Sequence, residues 1–339
     1  MSLPETSSLH TELEITRKKR IERRVGRVAM KTILLVLRPL PFSTAQVFGK
    51  TLGNLVYRIL GRYRKVCLKN LTLIYHDKSE SEIRTMAKAV FAHFGQVAAE
   101  FLKLPETSRD AVDALTTVEG EENLKAALAS GKGVLLITGH FGNWEWMARW
   151  LTTHGYELNV VARDARDPEA TKLMAETRTG SGAKVLFRGS SVRGLLQALK
   201  RNEIAALLPD QNAADVFVPF FGLPTGTVDG PAVLHLKTQS PLLFSWCRRE
   251  GNRFHITFEP PVVISPTSNK PEDIEKVMAL VNARLEAQIR LYPTQWLWLH
   301  NRWKASPGVF PDGEENARIH NMPPREYREY LANKRRDDG

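Results

Sequence analysis

His140 and Glu145 are the first residues whose types and spacing could do chemistry. They stand in Thr138-Gly139-His140-Phe141-Gly142-Asn143-Trp144-Glu145-Trp146. A neutral imidazole can take a proton from a hydroxyl near pH 7. A carboxylate bonded to the other ring nitrogen would fix the tautomer and stabilise the imidazolium. Glu145, five residues on, is the expected partner. No serine or cysteine nucleophile is evident beside His140, so the natural nucleophile is a hydroxyl on a substrate. The natural reaction is then direct acyl transfer. A lone histidine after a strand is also a common structural residue, and spacing alone leaves both readings open.

Other chemistries lack their motifs. There is no G-x-S-x-G elbow for an α/β-hydrolase. Neither a G-x-x-x-x-G-K-[ST] loop nor a G-x-G-x-x-G turn is present to cradle a nucleotide. No H-E-x-x-H or paired-cysteine spacing offers a zinc site, and the nine histidines are scattered. No metal or resident cofactor is therefore expected. The two cysteines, Cys67 and Cys247, form no disulfide framework, which points to a reducing compartment.

The elements that must position His140 follow a repeating pattern. Val134–Thr138 reads as a buried strand, and Asn143–Thr153 as a helix leading away. Strand Leu158–Ala162, a helix from Pro168 to Arg178, strand Lys184–Phe187, helix Ser190–Lys200 and strand Ile204–Leu208 continue the alternation. Such repetition predicts an α/β fold with a mixed, mainly parallel sheet flanked by helices. Asp210-Gln211-Asn212 closes the last of these strands, and a loop runs on through Phe220-Phe221-Gly222 and Gly226-Thr227. Leu242–Arg248 and Arg253–Phe258 read as paired strands, and Pro271–Leu291 as an amphipathic helix. Alternation of Trp296, Trp298 and His300 suggests a further strand, either in a packed core or at a bilayer interface.

Before residue 106 the character is different. Residues 17–27 carry seven bases against one acid. The region from Val28 to Gly61 is the most apolar long stretch. Lys31, Arg38, Lys50 and Arg58 interrupt it, so no run approaches the ~18 residues that a span needs. Pro39 and Pro41 divide it into two helices. Short apolar helices flanked by cations suit a protein lying on an anionic bilayer face, although two ordinary core helices would also fit. Ser79 or Ser81 caps a predicted helix to Leu104 whose His93 reads as structural. Four parts are expected: a basic segment 1–27, a helical membrane-associating region 28–105, an α/β domain 106–305, and a polar tail 306–339 held loosely. The first ten residues are polar, and no secretory signal is expected. A net charge of +11 points to anionic partners, and no recognised nucleic-acid module is present.

Gly139-His140-Phe141-Gly142-Asn143-Trp144-Glu145 resembles the His-x-x-x-x-Glu block of the bacterial lipid A biosynthesis (lauroyl/myristoyl) acyltransferases, members of the lysophospholipid acyltransferase superfamily. Arg178 with Gly180, Asp210-Gln211, Phe220-Phe221-Gly222 with Gly226-Thr227, and the Pro293-to-Lys304 block resemble further motifs of that family, in order, from about residue 25 to 305. Departures are the charged N-terminal helices, the long basic head and the polar tail.

The resemblance implies a glycerol-3-phosphate acyltransferase-like fold and attachment to the cytoplasmic face of the inner membrane. It implies His140 as general base with Glu145 as partner. Arg178 and Asp210 would act on the acceptor or in ordering the site, with Gln211, Asn143 and Thr227 as further substrate-binding residues. The donor would be an acyl thioester on acyl carrier protein or coenzyme A, and the acceptor a glycolipid, foremost a lipid A precursor. No nucleic acid is expected as a partner. Relatives acting on a phosphatidylinositol mannoside or another phospholipid are the nearest alternative, and a non-catalytic basic membrane or nucleic-acid binder is the rival from another class. Backbone N–H groups at Gly142 and Asn143 are the expected donors to the oxyanion.

Overall fold

The computed structural model describes residues 28, 32–162, 168–187, 191–307, 319 and 322–337. The basic segment 17–27 lies outside them. After a helical stretch at residues 32–37, three longer helices follow: α1 (Phe42–Ile59), α2 (Gly61–Ile74) and α3 (Glu80–Lys103). Helix α3 starts with a full capping box. The Ser79 side chain accepts from the Glu82 N–H, and the Glu82 carboxylate reaches back to the Ser79 N–H. Its buried face, through Ile83, Ala87, Val90, Phe91 and Val97, has the helical spacing read from the sequence.

Helices α1 and α3 cross at Gly49, Gly53 and Gly95. A Cβ on Gly95 would run into the Gly49 carbonyl, so the backbones meet only because no side chain stands between them. The opposite side of α1 leaves Val47, Leu55 and Ile59 exposed beside exposed Lys50 and Arg58. Among the described residues, no helix is long and apolar enough to cross a membrane.

The rest is the expected α/β unit. Seven strands form one sheet: β1 (Thr116–Glu119), β2 (Val134–Ile137), β3 (Leu158–Ala162), β4 (Lys184–Phe187), β5 (Ile204–Leu207), β8 (Leu242–Glu250) and β9 (Arg253–Phe258). Their order is β1-β9-β8-β2-β5-β3-β4. Only the β8–β9 pair is antiparallel. Strand β2 is buried on both faces, with Leu135 and Ile137 in one core and Val134 and Leu136 in the other. That explains its unbroken apolar run, since a parallel strand covered on both sides has no polar face.

Helices α4 (Arg109–Leu115), α5 (Glu121–Ala129), α6 (Trp144–Thr153), α7 (Pro168–Gly180), α8 (Ser191–Lys200), α9 (Gly230–Thr238) and α10 (Lys270–Leu291) complete this part.

Three features differ from the sequence reading. The segment after Asp210 is not only loop: β6 (Val216–Phe220) and β7 (Leu223–Thr227) form a separate antiparallel hairpin. Its two-residue turn, Phe221-Gly222, has positive φ at both positions, the mirror-image geometry that matches strand twist. The Glu286 carboxylate accepts from the Phe221 N–H and holds that turn.

Trp296 makes only an isolated bridge, to Phe141, and no strand follows it. Trp296, Trp298 and Trp303 are buried and packed edge to face or stacked on one another, in a core and not at an interface.

The polar tail also contains a docked helix, α11 (Pro324–Asp337). Tyr327 and Leu331 are buried in the main core, the Lys69 ammonium lies over the Tyr327 ring, and Arg328 donates to the Lys78 carbonyl. Apolar residues of the tail, Tyr327 and Leu331 at helical spacing with Ile319 and Tyr330, pack on the main core although the segment reads as polar on average.

Candidate active site

Strands β2 and β5 lie side by side and parallel, with Ile137 opposite Leu207. Both chains leave the sheet at the same edge, and the Thr138 N–H still donates to the Leu207 carbonyl at 3.1 Å. His140 and Asp210, just beyond, are thereby brought together. The edge outside the carboxyl ends of parallel strands is where α/β sheets place their sites.

The imidazole Nδ1 of His140 lies 2.8 Å from Asp210 Oδ1, and the His140 backbone N–H donates to Asp210 Oδ2 at 2.7 Å. Trp296 Nε1–H donates to the same Oδ2 at 2.9 Å. A Cβ on Gly139 would meet the end of the Leu285 side chain and the Asp210 carboxylate. Burial of the Asp210 carboxyl by itself disfavours its charge. The facing His140 and the hydrogen bonds from that ring, the Trp296 indole and the His140 amide outweigh burial and hold its pKa below the usual carboxylate range. Asp210 is thus a buried anion bonded to Nδ1, which leaves Nε2 as the ring nitrogen free to face a substrate. The His140 side chain is 22% exposed.

Glu145 is not the partner of His140. Its carboxylate is buried against Arg178, whose Nε donates at 3.1 and 3.2 Å and whose Nη2 donates at 2.5 Å. Trp144 Nε1–H adds a bond at 3.0 Å. The physical reason lies in the helix. Glu145 sits in the first turn of α6, where its side chain faces the end of α7, while Asp210 comes to His140 from the adjacent strand. The Arg178 guanidinium also lies over the Phe101 ring, and the charge of Glu145 keeps its pKa up against the effect of burial.

Two expected oxyanion donors are occupied. The Gly142 N–H donates to the Gln295 carbonyl and the Asn143 N–H to the Cys247 carbonyl, each at 2.8 Å. Gly142 has a φ of +57°, and a Cβ there would run into the Cys247 carbonyl. Asn143 is fully buried. Its side chain caps α6 by accepting from the Trp146 N–H at 2.9 Å and donates to Glu100 at 2.6 Å, so it has no polar atom left for a substrate.

Thr227 is likewise interior. Its hydroxyl donates to the Thr225 carbonyl and accepts from Arg302 at 2.7 Å. Gln211 turns its backbone carbonyl toward Arg302. The contacts of the Thr227 hydroxyl and of the Gln211 carbonyl are therefore with the protein itself. Arg302, wholly buried, joins the Asp210 loop to the β6–β7 hairpin. Burial lowers its pKa to about 10, partly offset by Asp210.

Sequence reasoning did not single out Glu100 or Arg249, and it placed Gln295 and Arg302 in the Pro293-to-Lys304 block without giving them a role. Glu100 had a signal: it stands three residues after Val97 on the apolar stripe of α3, where a carboxylate has to find a partner. The partners of the other three are remote in sequence and leave no local trace.

This is an α/β protein with a histidine–carboxylate pair at the edge of its parallel strands and an arginine–carboxylate pair alongside. The chain belongs to the bacterial lipid A biosynthesis acyltransferase family, whose profile matches residues 14–305. It is similar to the lipid A biosynthesis lauroyltransferase of Escherichia coli (strain K12), with 28% identity over 285 residues, 82% of this chain and 91% of that protein. It is also similar to the palmitoleoyltransferase of lipid A biosynthesis from the same organism, 27% identical over 279 residues, 79% and 87% of the two chains. A phosphatidylinositol mannoside acyltransferase of Mycobacterium tuberculosis (strain ATCC 25618 / H37Rv) is 28% identical over 194 residues, 56% of this chain and 60% of that protein. The protein is accordingly an O-acyltransferase.

Proposed function

We propose that the protein transfers a fatty acyl chain from a thioester to a hydroxyl of a lipid A precursor, with His140 as general base. The observation that carries this reading is the bond between His140 Nδ1 and Asp210 Oδ1 at 2.8 Å, which supports a ring held with Nδ1 on the carboxylate and Nε2 turned toward the acceptor hydroxyl. His140 Nε2 takes the acceptor's hydroxyl proton as the oxygen attacks the thioester carbonyl. A tetrahedral oxyanion forms. It collapses with cleavage of the carbon–sulfur bond, and the imidazolium returns the proton to the leaving thiolate. No covalent acyl-enzyme is formed. With Gly142 and Asn143 committed, the first-turn amides of Trp144 and Glu145 are the oxyanion donors in this reading. Among the described residues they carry no other hydrogen bond.

Arg178 suits an anionic group on the acceptor. Glu145 holds its Nε and Nη2, which fixes the plane of the guanidinium and turns Nη1 elsewhere. The donor is an acyl carrier protein thioester or acyl coenzyme A, both of which match the chain's positive charge. The exposed apolar and basic side of α1 supports peripheral attachment to an anionic membrane face. A phosphatidylinositol mannoside acceptor is the second reading, favoured by the mycobacterial relative, but that match covers a smaller share of both chains.

The test is an assay of purified protein with a series of acyl carrier protein thioesters and a lipid A precursor. His140→Ala should lose at least ~10²-fold in kcat, the lower end for a positioned general base. Near-normal turnover by that variant would sink the mechanism. Transfer only to a phosphatidylinositol mannoside would replace the acceptor.

A further inference from the structure

Behind the segment that joins His140 to Glu145 lies a second buried charge pair. Glu100, on α3, is wholly inaccessible, and the Arg249 side chain on β8 is nearly so. Arg249 Nη1 and Nη2 donate to the two Glu100 oxygens at 2.8 and 2.5 Å. Asn143 Nδ2 donates to Oε2 at 2.6 Å and Gln46 Nε2 to Oε1 at 2.8 Å. Gln295 then grips the backbone of Arg249 from both sides: its Oε1 accepts from the Arg249 N–H at 2.8 Å, and its Nε2 donates to the Arg249 carbonyl at 3.0 Å. The Gln295 backbone carbonyl accepts from the Gly142 N–H. His93 Nε2–H donates to the Gly142 carbonyl at 3.0 Å. The bonds close a ring: Glu100 to Asn143, along the chain to Gly142, across to Gln295, to Arg249 and back to Glu100.

We propose that this ring of Glu100, Arg249, Gln295 and Asn143 positions the His140–Glu145 segment for acyl transfer, with Glu100 and Arg249 as positioning residues. A buried ion pair is a weak source of net stability, because desolvation offsets the attraction. What it supplies is one fixed arrangement, since each member leaves a buried charge or amide unsatisfied if it moves. Here the arrangement fixed is the start of α6. Asn143 caps that helix with one side-chain atom and is tied to Glu100 with the other, so the Glu100 carboxylate sets where α6 begins relative to β2. His140 lies just before that point and Glu145 just after it, and reacting groups tolerate displacement poorly.

This inference rests on the general-base reading of His140, and the experiment separates the two. Asn143→Ser keeps a good helix cap but removes the amide that reaches Glu100. The full-length variant should fold, with a melting temperature lowered by the loss of one buried bond to a charged group, and show kcat per folded molecule lowered roughly tenfold or more with little change in KM. The proton on His140 Nδ1, followed by NMR in protein with labelled histidine, should shift or broaden. Glu100→Gln should act in the same direction, and the double variant should be no slower than the slower single. If Glu100→Gln does not fold, Asn143→Ser decides alone. A kcat for Asn143→Ser within about twofold of wild type, the scatter of uncoupled sites, with the proton signal unmoved, overturns the proposal. So does a loss of activity that only follows the folded fraction. If the wild-type chain transfers no acyl group, the general-base reading fails, and the proton signal still tells whether the ring positions His140.

Discussion

The indole Nε1–H of Trp296 donates to Asp210 Oδ2 at 2.9 Å, and the other oxygen of that carboxylate faces His140 Nδ1 at 2.8 Å. The C-terminal tryptophan block thus reaches the candidate base through one buried carboxylate. Removing the donor while keeping the ring should expose its contribution. Trp296→Phe is expected to cost about 1.5–3 kcal/mol, the range for a hydrogen bond to a charged group. Urea unfolding would measure it, and kcat should fall as well if Asp210 loses its orientation. An unchanged unfolding midpoint and unchanged kcat would show that the bond does no orienting.

The two carboxylates should separate cleanly. Asp210→Asn keeps the shape but favours the wrong His140 tautomer, and kcat should drop about 10²- to 10⁴-fold. Glu145→Gln leaves the Asp210–His140 pair intact and should slow kcat much less. If Glu145→Gln proves the more damaging of the two, the assignment of partners is reversed.

Arg178→Lys tests the acceptor side. A lysine cannot reproduce the planar fork on Glu145. KM for the acceptor should rise about tenfold, the equivalent of one lost charge-assisted bond, with a smaller change in kcat. An unchanged KM would remove Arg178 from acceptor binding.

His93 makes stability depend on pH. Burial, with a smaller push from Arg249, lowers its pKa to about 3, against the hydrogen bond to the Gly142 carbonyl. A base with a depressed folded pKa binds its proton more tightly when unfolded. Its contribution is fully present above the unfolded value of about 6.5 and is lost as pH falls from there toward 3, at about 1.4 kcal/mol per pH unit. Urea midpoints between pH 7 and pH 5 should fall more steeply for the wild type than for His93→Gln. Parallel slopes would mean that the fold leaves the His93 pKa unshifted.

Asp210 adds a similar dependence at lower pH. Its folded pKa is depressed, so its contribution is present above the unfolded value of about 3.9 and is lost as pH falls through the folded one. Asp210→Asn should flatten the acid-unfolding curve below about pH 4. The same curve in the variant as in the wild type would count against an ionised Asp210.

Local pattern alone determined much of this molecule. Strands β3 and β4 lie where the apolar runs at Leu158–Ala162 and Lys184–Phe187 place them, and α3 starts after Ser79, one of the two caps, Ser79 or Ser81, that its sequence offered. These elements are legible because periodicity, caps and breakers act over a few residues. The resemblance to the family, and not local pattern, put His140, Glu145, Arg178 and Asp210 in one neighbourhood.

What only the tertiary structure decided is which of these residues touch. Glu145 is near His140 in sequence yet is turned by the first turn of α6 onto Arg178. Asp210 is remote in sequence yet meets His140 because β2 and β5 are adjacent, parallel and in register. The same reason hid Thr227 and Asn143 as structural residues and kept the ring around Glu100 out of view. A hydrogen-bond partner is set by the geometry of packed elements, and the order of strands in a sheet has no signature in any local stretch of chain.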